Sequence, residues 1–101
     1  MKRDDVVRIL RQHRDELARR FGVRSLALFG SVARGEATDA SDVDLLVEFD
    51  DRPVGLFHLG RTEDYLREIL GAREVDLVVR RCVIDELREP IYRGAVDVIA
   101  P

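Results

Sequence analysis

Residues 28–49 read LFGSVARGEATDASDVDLLVEF, and this stretch decides the fold. An apolar run ends at Gly30-Ser31; ten residues later Asp42-Val43-Asp44 opens a second one. Val43, Leu45, Val47 and Phe49 alternate with Asp42, Asp44 and Glu48, the period of a strand over 42–49 with one apolar face. Residues 24–29 predict a strand ending at Gly30, close to where the Asp42 strand begins, so the two are expected to run antiparallel. Between them, Gly35 and the Thr38-Asp39-Ser41 cluster mark residues 31–41 as a turn that opens with about one turn of helix.

Outward from this centre, Val6, Leu10, Leu17 and Phe21 lie at helical spacing and predict one amphipathic helix over 5–21, closed by Gly22. After a turn at 50–53, a helix over 55–70 is expected to turn Leu56, Leu59, Leu66, Ile69 and Leu70 inward. Glu63 and Arg67 form an i,i+4 pair on its exposed side. A strand follows over 74–80, then a helical stretch over 83–93 that Pro90 can break or restart, and a last strand over 95–99. A helix between the strands at 42–49 and 74–80 is a βαβ crossover, which makes those strands parallel. The expected fold is α/β, a small mixed sheet of about four strands with packed helices, with residues 1–101 as a single domain.

Composition narrows the function classes. With 46% hydrophobic and 37% charged residues the chain reads as a soluble globular domain and not a disordered tail. Its 17 Lys and Arg are scattered among 20 Asp and Glu, without a basic stripe, so general nucleic-acid binding is not expected. The single Cys82 excludes an intrachain disulfide, and no Cys/His cluster has zinc spacing. The charged start, MKRDDVVRILRQHRDEL, is unlike a signal peptide, and no apolar run approaches membrane length; a cytoplasmic setting without membrane contact is expected.

The aspartates carry the chemistry. VDLLV at 43–47 nearly repeats as VDLVV at 75–79. An unpaired aspartate in so apolar a strand is costly. Asp42 and Asp44 are two apart and share a face. Parallel pairing then places Asp76 beside both. Like charges that close raise one another's pKa unless a cation neutralises them, and an oxygen-only donor set suits Mg²⁺ or Mn²⁺. Gly30 lets a phosphate approach the backbone, and Ser31 offers a hydroxyl and an N–H at a helix start. No Walker-type loop is present. Together these residues suit a nucleoside triphosphate bridging from Ser31 to metal ions on three aspartates, the two-metal layout for attack on phosphorus.

Gly30-Ser31, ten residues, Asp42-x-Asp44 and a third aspartate, Asp76, on a later strand closely resemble the minimal nucleotidyltransferase (MNT) domains of the DNA polymerase beta-like nucleotidyltransferase superfamily. The resemblance covers most of the chain, and no motif position is substituted. It implies magnesium-dependent transfer of AMP from ATP to a hydroxyl. Asp42 and Asp44 are then expected to hold two Mg²⁺ ions. Asp76 completes one metal site and helps deprotonate the acceptor, and Gly30 and Ser31 hold the β- and γ-phosphates. Arg34 reads either as a clamp on the triphosphate or as a solvated loop residue. Stand-alone members of this size imply an antitoxin paired with a HEPN-domain RNase toxin, a type VII toxin-antitoxin pair and a hetero-oligomer. Because 101 residues leave no room for an acceptor-gripping domain, the expected acceptor is a macromolecule, with a tyrosine hydroxyl on the toxin as the target. Two rival readings stand beside this one: a non-catalytic antitoxin that inhibits by binding, and a small-molecule (antibiotic) adenylyltransferase.

Other residues have plainer readings. Ser31 can also act as an N-cap. His13, Tyr65 and Tyr92 read as packing residues, and Cys82 as a small buried or edge residue. His58 has no partner evident in sequence. Arg80-Arg81 reads as a solvated pair or as a contact to nucleotide or partner.

Overall fold

The computed structural model describes residues 2–36, 42–52, 55–83, 86 and 92–100. Strands β1 (Val23–Phe29), β2 (Val43–Phe49), β3 (Val75–Val79) and β4 (Val96–Ile99) form one sheet in the order β3-β2-β1-β4. β1 runs antiparallel to both β2 and β4, and β2 runs parallel to β3. Helices α1 (Arg3–Gln12), α2 (Arg14–Phe21) and α4 (Leu56–Leu70) supply the cover, and a single short turn of helix, α3 (Gly30–Ala33), follows β1. The mixed sheet with packed helices is the expected architecture. Among the described residues, no helix is long and apolar enough to cross a membrane.

The alternation in the sequence explains which face is covered. Val43, Leu45 and Val47 of β2 join Leu26 and Leu28 of β1 and Val75 and Leu77 of β3 on one face. Val6, Leu10, Leu17, Leu66 and Leu70 descend on them from α1, α2 and α4. Each such leucine, fully withdrawn from water, contributes about 1.5–3 kcal/mol. The opposite face has a smaller apolar cluster of Ala27, Leu46 and Val83, with Phe29, Val78 and Tyr92 against it. Leu46 therefore breaks the polar-out alternation of β2 because the sheet is partly covered on both sides.

Four expectations change. The helix expected over 5–21 is two helices, parted at His13. The His13 amide N–H bonds the Leu10 carbonyl at 3.2 Å, while its ring Nδ1–H takes the Ile9 carbonyl at 2.8 Å. A side chain has replaced the backbone in the i−4 ladder, and the helix kinks there. The apolar stripe continues across the break, which is why periodicity alone misses it. Leu56 does not face inward: it is the first residue of α4 and 81% exposed. Arg67 pairs with Asp64 rather than with Glu63. Cys82, expected buried or at an edge, is exposed in a 3₁₀ turn over Arg80–Cys82. Most of the helix expected over 83–93 lies outside the described residues.

Polar contacts fasten the layers. His58 Nε2–H donates to the Phe21 carbonyl at 2.6 Å and ties α4 to the end of α2, the partner that sequence did not reveal. Arg11 donates to the Val98 carbonyl at 3.0 Å and to that of Asp97 at 3.4 Å, laying α1 along β4. Arg3 reaches the Ala33 carbonyl at 3.3 Å, joining α1 to α3.

The burial difference along α4 is directly testable. Leu66→Ala should cost about 2–5 kcal/mol, since it leaves a cavity at a fully buried position. Leu56→Ala should stay within about 0.5 kcal/mol of the parent. Urea unfolding of both variants measures the contrast.

Candidate active site

The register of the sheet brings the aspartates together. Parallel pairing of β2 with β3 sets Asp44 directly opposite Asp76, each the second residue of its strand. On the other side Asp44 is opposite Phe29, the last residue of β1, so Phe29, Asp44 and Asp76 form one row across the sheet. The next row along the same face is Ala27, Leu46 and Val78, so the carboxylates stand at the rim of an apolar floor.

That placement perturbs Asp44. Burial pushes its carboxyl up from 3.8 to about 6, assisted by the negative charge of Asp76 and by the hydrogen bond that protonated Asp44 donates to Asp76. Asp42 adds repulsion, whereas the Arg34 guanidinium acts in the opposite direction. Asp44 is half-buried, and Asp42 and Asp76 are exposed. Asp42 precedes β2 by one residue, so the strand fixes it less firmly than it fixes Asp44 and Asp76.

Gly30 explains how Asp44 fits. Its φ is +75°, in the left-handed region, and a methyl group added there would collide with Asp44 Oδ2 and lie 3.0 Å from Cγ. The glycine makes room for a carboxylate of its own chain, a role the sequence reading had not given it. Ser31 follows in α3, half-buried, and its carbonyl accepts the Glu36 N–H at 2.9 Å. Arg34, at the end of this turn, is exposed and ion-paired with Glu36 at 3.0 Å. Gly30, Ser31 and Arg34 thus lie on the segment leaving β1 beside the Asp44–Asp76 pair. Residues 37–41 lie outside the described set.

Among the described residues, no three His, Cys, Asp or Glu side chains make a ready group for a metal ion. The donor chemistry nonetheless fits a hard divalent cation. Asp44 and Asp76 stand opposite one another at the rim of the sheet, and Asp42 adds negative charge to the same place. Sequence reasoning missed one acidic neighbour, Glu63. Burial first, and then the charge of Asp76, raises its pKa, which marks Glu63 as a neighbour of that carboxylate. Its expected pairing with Arg67 hid that role. Arg80 does not solvate with Arg81; its guanidinium lies 5.2 Å from the centre of the Tyr92 ring.

The nucleotidyltransferase domain family matches residues 10–98, most of the 101. This chain belongs to that family. The nucleotidyltransferase is 41% identical to the protein adenylyltransferase MntA of Thermococcus cleftensis over 95 residues, 94% of each chain. A solved structure described as a candidate minimal nucleotidyltransferase superposes with a TM-score of 0.74 at 38% identity, covering 95% of both chains. A chain from a tri-AMPylated Shewanella oneidensis HEPN toxin in complex with MNT antitoxin shares the fold, with a TM-score of 0.65 at 18% identity. That match covers 94% of this nucleotidyltransferase and 73% of the other chain.

Two outcomes test this geometry. Gly30→Ala should destabilise the nucleotidyltransferase by about 1–3 kcal/mol, because it forces a side chain into the left-handed region and against Asp44; thermal and urea unfolding measure it. The second concerns pH. The folded value of Asp44 exceeds its unfolded value, so its contribution to stability is fully present below pH 3.8 and is lost as pH rises through about 6. The stability of Asp44→Asn relative to the parent should therefore rise between about pH 4 and about pH 6 and stay level above, as denaturation across that window would show.

Proposed function

We propose that this chain is a protein adenylyltransferase that moves AMP from ATP to a tyrosine hydroxyl of a HEPN-type RNase toxin. It would act in the cytoplasm as the antitoxin of a type VII pair. The observation that carries the reading is the in-register Asp44–Asp76 pair beside the Gly30-Ser31 turn, in a chain 41% identical to an MntA adenylyltransferase. The MNT–HEPN complex that shares its fold supports the choice of partner.

In this reading Asp42, Asp44 and Asp76 would hold Mg²⁺, with Mn²⁺ as a substitute. When bound, such ions would neutralise triphosphate charge and lower the pKa of the acceptor hydroxyl. The Gly30-Ser31 turn presents backbone N–H groups and the Ser31 hydroxyl to the β- and γ-phosphates. Arg34 releases Glu36 and turns to the same phosphates. Asp76, exposed at the rim, accepts the proton of the tyrosine hydroxyl. The phenolate oxygen forms a bond to the α-phosphorus, the bond from that phosphorus to the bridging oxygen breaks, and pyrophosphate leaves. The product carries AMP on the toxin, where its charge and bulk oppose RNA binding.

Incubation with ATP labelled in its α-phosphate, Mg²⁺ and a purified HEPN partner should label the partner. Asp44→Asn should reduce the rate by about 10²-fold or more, the scale of removing a charged group from a phosphoryl-transfer site. Mass spectrometry of the partner locates the adenylate. An unlabelled partner that regains RNase activity once this chain is stripped away would overturn the reading.

A further inference from the structure

At the other end of β2 and β3 the surface changes character. Asp44 and Phe49 are separated by about 16 Å along β2. Beyond Phe49, the first turn of α4 exposes Leu56 by 81% and Phe57 by 87%. Leu56 borders a cavity of about 210 Å³, walled also by Phe49, Leu59, Val79, Arg81 and Cys82. A second hollow of about 150 Å³ shares Phe49, Val79 and Arg81 with it and extends to Arg24. Two large adjacent apolar side chains, one of them lining a hollow walled by Phe49, Leu59 and Val79, are unlike singly scattered surface hydrophobics, and such patches mark interaction sites.

The charges around the hollow indicate what it fits. Arg24 and Arg81 are exposed, and neither is in an ion pair among the described residues. The carboxylate that lines the second hollow, Glu48, is half-buried and accepts a hydrogen bond from Ser25 at 3.4 Å. Apolar floor and cationic rim complement a segment that has an apolar stripe flanked by carboxylates. A second copy of this chain docking through the same patch would bring like-charged rims together, which is unfavourable for a two-fold contact.

We propose that the Leu56–Phe57 ridge and its adjoining hollow form the docking surface for an acidic, apolar-faced helix of the protein substrate; this rests on the reading that the substrate is a protein. The surface lies away from Asp44 and Asp76. It grips the partner without occupying the reacting centre, and the acceptor hydroxyl reaches the aspartates from another part of the partner.

Cys82 lines the hollow, is exposed and is the sole cysteine of the chain, so its thiol reports occupancy. The rate at which a disulfide reagent modifies Cys82 in the full chain is measured with two synthetic amphipathic helical peptides. Both have a leucine stripe, flanked in one by glutamates and in the other by lysines. Saturating glutamate peptide should slow modification by about tenfold, and Phe57→Ser should weaken its binding by about tenfold, the scale of losing one buried aromatic anchor. Arg24→Glu combined with Arg81→Glu should reverse the preference toward the lysine peptide. Circular dichroism checks that the variants remain folded; all three positions are exposed. Equal protection by both peptides, or by neither, overturns the proposal. Protection that instead grows with the concentration of the chain itself assigns the surface to a second copy. Thiol protection is read without any AMP transfer, so it stands or falls apart from the adenylyltransferase reading. Conversely, unchanged transfer kinetics of Phe57→Ser on a HEPN partner would overturn the docking surface and leave that reading intact.

Discussion

The parallel register of β2 on β3 is the constraint on which the rest depends. It sets two aspartates opposite one another in adjacent strands, where the cross-strand distance is short and like charges repel. The fold holds them there because the register is fixed from the other face of the same strands. Val43, Leu45 and Val47 must meet Val75, Leu77 and Val79 over the core, and a slip of one residue would turn all of them toward water. Apolar packing thereby enforces an electrostatic arrangement that the carboxylates alone would not adopt. A site that resists its own geometry until a cation or proton arrives is a familiar cost of function.

The α4 crossover separates two kinds of surface. Because it joins the far end of β2 to the near end of β3, its first turn stands beside Phe49 and Val79 while the aspartates remain at the opposite ends of the strands. One topological requirement therefore yields an acidic rim at one end of the sheet and an apolar, cationic hollow at the other. Gly30 contributes at the acidic end by being small: the turn after β1 can pass close to Asp44 only without a side chain.

Much of this was legible in the sequence because two periods were strong. Alternation in DVDLLVEF fixed a strand, and the apolar spacing of 55–70 fixed a crossover helix, so the parallel pairing and the meeting of Asp44 with Asp76 followed. What escaped had other physical causes. The kink at His13 arises from a ring nitrogen competing for a carbonyl, which leaves the apolar stripe unbroken. Leu56 reads as inward by spacing, yet it is the first residue of α4 and is 81% exposed. Leu46 looks like a break in alternation until the second apolar cluster is seen beneath Tyr92 and Val83. The proximity of Glu63 to Asp76 is tertiary, and no local pattern encodes it.

The place of β4 in the sheet bears on how the chain comes to be folded. It is the last strand in sequence, yet it pairs with β1, near the beginning, and Arg11 of the first helix clasps its carbonyls. During synthesis, β1 and β2 can form a hairpin-like pair early, but one edge of β1 stays open until residues 96–99 emerge. Closing that edge requires contacts of large sequence separation, which form slowly. Until then the growing polypeptide has an unpaired strand edge beside exposed leucines, the kind of species prone to aggregate. Ribosome pausing or chaperone capture should matter most in that interval, which ends when β4 pairs with β1 and its carbonyls come within reach of Arg11.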